Sequence, residues 1–173
     1  MCVISGPVLS VNCTKLLGIP SKNRKRQLTV YRNSVATLHE NAMCLPVPNP
    51  QSVRFEHISK TIFNECAKSF STTRSRDFLS ASATYGAGSR SDKIELPVIS
   101  HGSYEVVLVP STDFSRYSIP NSFAELLTEE VTIFLQSNYS ENFGIILCKL
   151  KQGNTDYEPF AYSHNLQGSG ELF

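Results

Sequence analysis

Three prolines at alternate positions constrain the fold of this chain more than any other feature. They are Pro46, Pro48 and Pro50, in the segment 41–50, NAMCLPVPNP. A proline ring fixes φ near about −65° and removes the backbone N–H, so it excludes a helix and donates no hydrogen bond to a sheet. We therefore predict a stiff, extended crossover, close to polyproline II, that seals one edge of the core and avoids the middle of a sheet.

Most of the remaining apolar patterns are typical of strands. The segment 143–151, FGIILCKLK, is continuously apolar, which favours a central strand covered on both faces. Alternating or short apolar runs bounded by turn residues predict further strands at 2–11, 14–19, 26–38, 94–99, 104–111 and 157–164.

Two segments have helical spacing. One covers 59–70 with Ser59 as its N-cap, and the other begins near Pro120 and ends near Asn138. Ser122 and Glu125 would form a capping box in the second helix. This order of elements predicts a single α+β domain with a mainly antiparallel sheet and two helices packed on one face. The domain covers 1–164, with a flexible insertion at 71–92 and a C-terminal tail at 165–173.

Composition excludes several classes of function. The chain has 173 residues, 18% of them charged, and a formal net charge of +1, so no global field attracts nucleic acid or an anionic surface. No apolar run is long enough for a membrane span, and the N-terminus lacks the pattern of a signal peptide. We expect an intracellular protein, in the cytoplasm, the nucleus or a particle, that is not secreted and does not contact a membrane.

Metal and redox motifs are also missing from the sequence. The four histidines are scattered, and the five cysteines form no C-x-x-C pair. We predict no metal, no cofactor and reduced thiols.

Cys2 is a candidate nucleophile because it directly follows the initiator methionine. Removal of Met1 would give Cys2 a free α-amine, and that amine can act as a base toward the thiol on the same residue. A strand that starts at the nucleophile and continues into a hairpin fits the class of N-terminal-nucleophile hydrolases. The alternative is a small, buried cysteine without chemistry, since free cysteines are among the most buried residues.

Two further groups of residues are candidate binding sites. Four basic residues, Lys22, Arg24, Lys25 and Arg26, form a candidate basic patch for phosphate contact or nuclear import, or simply the tip of a hairpin. Aromatic residues near the C-terminal end, Tyr157, Phe160 and Tyr162, are either core residues or a partner face, because Tyr and Phe are enriched at interfaces.

Four segments of the chain form a distinctive combination, namely MCVISGPV at the start, NAMCLPVP at 41–48, VPSTDF at 109–114 and FGIILCKL at 143–150. Together they resemble a family of uncharacterised, mostly bacterial proteins. It implies one domain with this strand order, and it implies no activity.

The sequence favours a non-catalytic role, although it does not settle whether the protein is an enzyme. The first hypothesis is a protein-interaction or structural component that binds protein partners or its own copies, as a subunit of a larger assembly such as a viral particle or capsid. The alternative is an amide hydrolase with Cys2 as nucleophile after Met1 removal. A third hypothesis is a nuclear factor with its signal at 22–26. The sequence does not identify a small-molecule substrate.

Overall fold

Strands are more abundant than helices among the described residues. The computed structural model describes residues 2–69 and 93–166, so the predicted insertion at 71–92 and the tail after residue 166 lie outside the described residues. The strands are β1 (Val3–Ile4), β2 (Ser10–Pro20), β3 (Arg26–Thr37), β4 (Asn41–Pro48), β5 (Arg54–Phe55), β6 (Ile94–Glu95), β7 (Ile99–His101), β8 (Tyr104–Val109), β9 (Tyr117–Ser118), β10 (Phe143–Leu150), β11 (Gly153–Asp156) and β12 (Phe160–Asn165). The helices are α1 (Ile62–Ser69), α2 (Asn121–Ala124) and α3 (Glu129–Asn138).

The first sheet has the order β1-β4-β10-β8-β7, with antiparallel neighbours. Strand β10 lies in its middle, between β4 and β8, and most of its residues are buried. The continuous apolar run therefore occupies the position that its composition predicts.

The proline-rich segment forms β4, which lies between β1 and β10, so the prediction of a crossover outside the sheet is wrong. The register explains why the prolines are tolerated. The backbone N–H and C=O of Ala42 both bond to Ser5, on the β1 side of the strand. Backbone groups alternate in direction along a strand, so the nitrogens of Pro46 and Pro48 also point to that side. Strand β1 pairs only as far as Cys44, and the missing N–H groups fall where none of the described strands lies beside β4.

The second sheet is built around β3. One side of β3 pairs with β2, and the other side pairs with β12 and β11, while β5 pairs with the outer side of β12. Strands β2 and β3 form a long hairpin that turns at residues 21–25. Strand β11 was not predicted, because its sequence, GNTD, has no apolar alternation.

The two sheets pack face to face over the main core. The buried residues between them include Met43 and Ile146 from the first sheet and Tyr31 and Phe160 from the second. Because side chains alternate across a strand, each sheet also presents a second apolar face to the outside of the sandwich.

Helices cover both outer faces. Phe123 of α2 and Leu135 of α3 pack with Ile145 and Leu147 on the outer face of the first sheet. Ile62 of α1 packs with Val30 on the outer face of the second sheet. The chain is therefore a four-layer α/β/β/α domain. The predicted α+β class with mainly antiparallel strands is confirmed, but the helices lie on opposite faces and not on one.

The second predicted helix is divided into α2 and α3. Thr128 caps α3, since its side chain accepts a hydrogen bond from the Val131 N–H, and Glu129 and Glu130 follow in the first turn. Acidic residues near a helix N-terminus complement its dipole. A helix that starts at Thr128 is therefore stabilised at least as well as one that starts at the predicted capping box of Ser122.

Candidate functional site

A pocket opens at the edge of the sandwich, next to Cys2, which directly precedes the first residue of β1. Strand β4 continues past its last partner in β1, and this leaves a gap between the two sheets. The gap has a volume of about 330 Å³. We call it the Cys2 pocket.

Both sheets and the end of α3 contribute to the walls of the Cys2 pocket. The apolar and aromatic lining residues are Leu16, Leu45, Pro46, Pro48, Tyr139, Phe143, Tyr162 and Leu166. The polar lining residues are Cys2, Gln27, Thr29, Tyr31 and His164. A concave, mostly apolar site with a few convergent polar groups is the usual form of a small-molecule site.

The Cys2 thiol lies on this wall, and it has a defined partner. Its Sγ lies 3.1 Å from the hydroxyl of Tyr31. The Tyr31 oxygen also accepts a bond of 3.4 Å from Nδ2 of Asn33, and either the thiol or the hydroxyl can donate the bond between Cys2 and Tyr31. Burial, and after it the bond to Cys2, raises the pKa of Tyr31, so its hydroxyl stays protonated as a donor.

The buried cysteines of the central strands differ from Cys2. Burial raises the pKa of Cys44 to about 12, and it raises the pKa of Cys148 well above the usual value. Both thiols are therefore neutral and shielded from solvent, and the thiolate is the reactive form. Cys2 is half-buried, and Cys13 and Cys66 are also accessible, so any labelling experiment must resolve these three sites.

His164 adds a neutral polar group to the pocket wall. Burial lowers the pKa of its ring, which keeps the imidazole uncharged near pH 7. Nδ1 lies 3.0 Å from the Asn165 carbonyl oxygen, and a proton on Nδ1 leaves Nε2 as an acceptor. The adjacent Ser163 lies on the opposite face of β12 and bonds Glu56 and Arg26.

The predicted aromatic partner face is not a surface. Tyr157 and Phe160 are almost completely buried, and Tyr162 is only 6% exposed. Tyr157 stacks on Tyr104 with ring centroids 4.7 Å apart, inside the core between the sheets. The prediction of a partner face is corrected: the first sheet covers this side of β12, and only Tyr162 reaches the Cys2 pocket.

The predicted basic patch is divided. Lys22, Arg24 and Lys25 are exposed at the turn of the β2–β3 hairpin, which agrees with the hairpin-tip interpretation. Arg26 instead bonds Asn165 Oδ1 at 2.8 Å, Ser163 Oγ at 2.9 Å and the Ser52 carbonyl oxygen at 3.1 Å. Arg26 therefore connects the start of β3 to the end of β12. It is not part of the exposed group at the hairpin turn.

Within the ranges 2–69 and 93–166, no group of three or more His, Cys, Asp or Glu side chains is placed to hold a metal ion. No helix in the same ranges is long and apolar enough to cross a membrane.

Sequence reasoning found Cys2 but missed its surroundings. Tyr31 and His164 come from different strands, far from Cys2 in the chain, and no local motif connects them. The alternation of β3 indicated only that Tyr31 lies on one face. No protein-family model, curated protein or solved structure matches the chain. The family resemblance therefore stays a prediction.

Proposed function

We propose that this protein is a thiol-dependent amide hydrolase whose nucleophile is Cys2, exposed as the N-terminal residue by removal of Met1. One observation carries the proposal: the Cys2 thiol lies on the wall of an apolar pocket and is hydrogen-bonded to Tyr31. An accessible thiol in a small-molecule-sized pocket is able to act as a nucleophile, whereas an inert structural cysteine is normally enclosed. Strand β1 begins directly after Cys2, at Val3, so an N-terminal Cys2 would lie at the start of a strand.

The reaction follows the chemistry of an N-terminal cysteine. The α-amine of Cys2 accepts the thiol proton, and Sγ attacks the carbonyl carbon of the amide. The tetrahedral adduct then breaks its C–N bond, the leaving amine takes that proton, and a thioester forms on Sγ. Water hydrolyses the thioester, which releases the carboxylic acid and restores the thiol. Tyr31 positions Sγ and stabilises the sulfur as its charge develops.

The first experiment is the intact mass of the protein isolated from its own source. We expect the mass without Met1 and with an unmodified terminal amine. The second step is acylation with p-nitrophenyl octanoate, followed by peptide-level mass spectrometry to locate the acyl group. We expect it on Cys2, with loss of acylation in Cys2→Ala and retention in the control Cys66→Ala. A retained Met1 or a blocked amine would refute the mechanism.

The assembly hypothesis is the second candidate, and the outer edge of β2 favours it. Among the described strands, this strand of 11 residues pairs only with β3. Leu9 and Leu16 are each 66% exposed on or next to it, and Val11 is 40% exposed. Long exposed edges with apolar side chains are templates for further strands, so a second copy could add through β2. The bulge between Asn12 and Lys15 limits such pairing to the regular stretch on either side.

Sedimentation over a range of protein concentrations tests this second candidate. The assembly hypothesis predicts a dimer or larger species that Val11→Lys dissociates, while the control Leu38→Lys does not, because Leu38 is 58% exposed but lies outside β2. It also predicts that Cys2→Ser changes nothing. A monomer at all concentrations would exclude assembly through this edge.

A further inference from the structure

We propose that the Cys2 pocket selects an uncharged, apolar acyl group of about ten non-hydrogen atoms, such as a medium-length fatty acyl chain, and rejects anionic acyl groups. This inference rests on the proposed function and names the substrate class of the same site.

The charge of the pocket wall is the first argument. No Asp, Glu, Lys or Arg is among the described residues that line it. Burial lowers the pKa of the His164 ring on this wall, which keeps that ring uncharged near pH 7. A carboxylate or ammonium group on the substrate would lose its hydration here without gaining an opposite charge, and that loss is costly. The wall therefore discriminates against charge at the far end of the acyl group.

The size of the pocket gives the second argument. Its volume of about 330 Å³ equals roughly eleven times the ~30 Å³ that one water molecule occupies in the liquid. A methylene group is similar in size to a water molecule. An acyl chain of roughly eight to ten carbons therefore fills the pocket, whereas an acetyl group leaves most of it empty. Leu16, Tyr139 and Phe143 supply apolar contacts for such a chain.

The edge of β4 gives the third argument, because it distinguishes an acyl chain from a peptide. A peptide that binds as an extra strand needs backbone N–H and C=O groups on the edge that it joins. The edge that faces the Cys2 pocket carries Pro46 and Pro48, which have no N–H. A ladder of paired hydrogen bonds cannot form there, so affinity has to come from apolar contact.

Competing acyl donors test the inference directly. The p-nitrophenyl esters of acetic, octanoic and succinic acid are compared by the rate at which each acylates Cys2, divided by its rate with free cysteine in solution. We expect octanoyl to exceed acetyl by about tenfold or more, since each well-placed methylene contributes to discrimination in an apolar pocket, and succinyl to be the slowest.

A charge placed on the pocket wall provides the matched variant. Leu16→Arg puts a cation on the rim, and the control Leu9→Arg changes a residue of equal exposure, 66%, that does not line the pocket. We expect Leu16→Arg to raise the ratio of succinyl to octanoyl by about tenfold, and Leu9→Arg to leave that ratio unchanged. Both residues are exposed, so neither variant should unfold the protein.

The outcomes separate the two proposals. Acylation of Cys2 at equal normalised rates by all three esters overturns the acyl selectivity but leaves the nucleophile. Absence of Cys2 acylation with every ester overturns the proposed function and the selectivity together. The selectivity is also overturned if Leu16→Arg and Leu9→Arg change the ratio of the succinyl to the octanoyl acylation rate by the same factor.

Discussion

Replacement of Tyr31 by Phe tests whether the tyrosine hydroxyl activates the Cys2 thiol. The change keeps the ring in the core and removes only the atom that lies 3.1 Å from Sγ. It also removes the acceptor of the Asn33 Nδ2 bond, so we expect a loss of about 1–2 kcal/mol in the free energy of unfolding. A folded protein with a less reactive thiol should result.

The size of the effect follows from the strength of the lost bond. A hydrogen bond to a charged group contributes about 1.5–3 kcal/mol, which corresponds to about 10–100-fold in an equilibrium constant. A thiolate without this bond is more nucleophilic, and that recovers roughly half of the loss on a logarithmic scale. The alkylation rate of Cys2 at pH 7 should therefore fall by about three- to tenfold.

Iodoacetamide labelling followed peptide by peptide measures this rate across pH 6–10. The loss in Tyr31→Phe should be present near pH 7, and at high pH the more nucleophilic sulfur of the variant should be labelled at least as fast as that of the wild type. Tyr162→Phe is the control, because Tyr162 lines the same pocket, is equally buried and contacts Thr29 instead of Cys2. Equal rates in the wild type and Tyr31→Phe at every pH would refute the reasoning.

Two further predictions concern stability. A Cβ at Gly144 would lie 2.8 Å from the Val109 carbonyl oxygen, so Gly144→Ala should lower the free energy of unfolding by about 1–3 kcal/mol in urea titrations. Gly18→Ala meets only ordinary contacts, so it should be neutral or stabilising by less than about 1 kcal/mol, and equal effects would contradict the packing argument. Burial, and then the nearby His57, lowers the pKa of His101, so protons bind the unfolded chain more readily below about pH 6.5. Stability should fall from pH 7 to pH 5, and His101→Gln should reduce that fall; an identical fall would exclude His101 as a source.

The sequence predicted the elements whose signal is local. The continuous apolar run of β10 and the alternation of β3 each reflect burial of the strand's own faces, so they are visible in a single window. The division between α2 and α3 was missed because two caps compete within a few residues, and Thr128 prevails once Phe123 and Leu135 pack on the same sheet.

The candidate site depends on non-local pairing, and the sequence carries little sign of it. Pro46 and Pro48 were correctly identified as unable to donate hydrogen bonds, but the register alone shows that their nitrogens point to a gap. Cys2 meets Tyr31 because β1 and β3 belong to different sheets that stack. Stacking is decided by the whole core, so no window of sequence predicts this contact.

The pairing of β4 with β10 has a consequence for synthesis of the chain. These strands contact along their full length, from Asn41 with Leu150 to Phe143 with Pro48, although about a hundred residues separate them in sequence. Such distant pairing makes folding slow, because the entropy of closing the loop must be overcome before the contacts form. On the ribosome, the centre of the first sheet cannot close until β10 has emerged. Until then the apolar face of β4 is exposed, and a nascent chain stalled before residue 143 should be a substrate for chaperones or proteases.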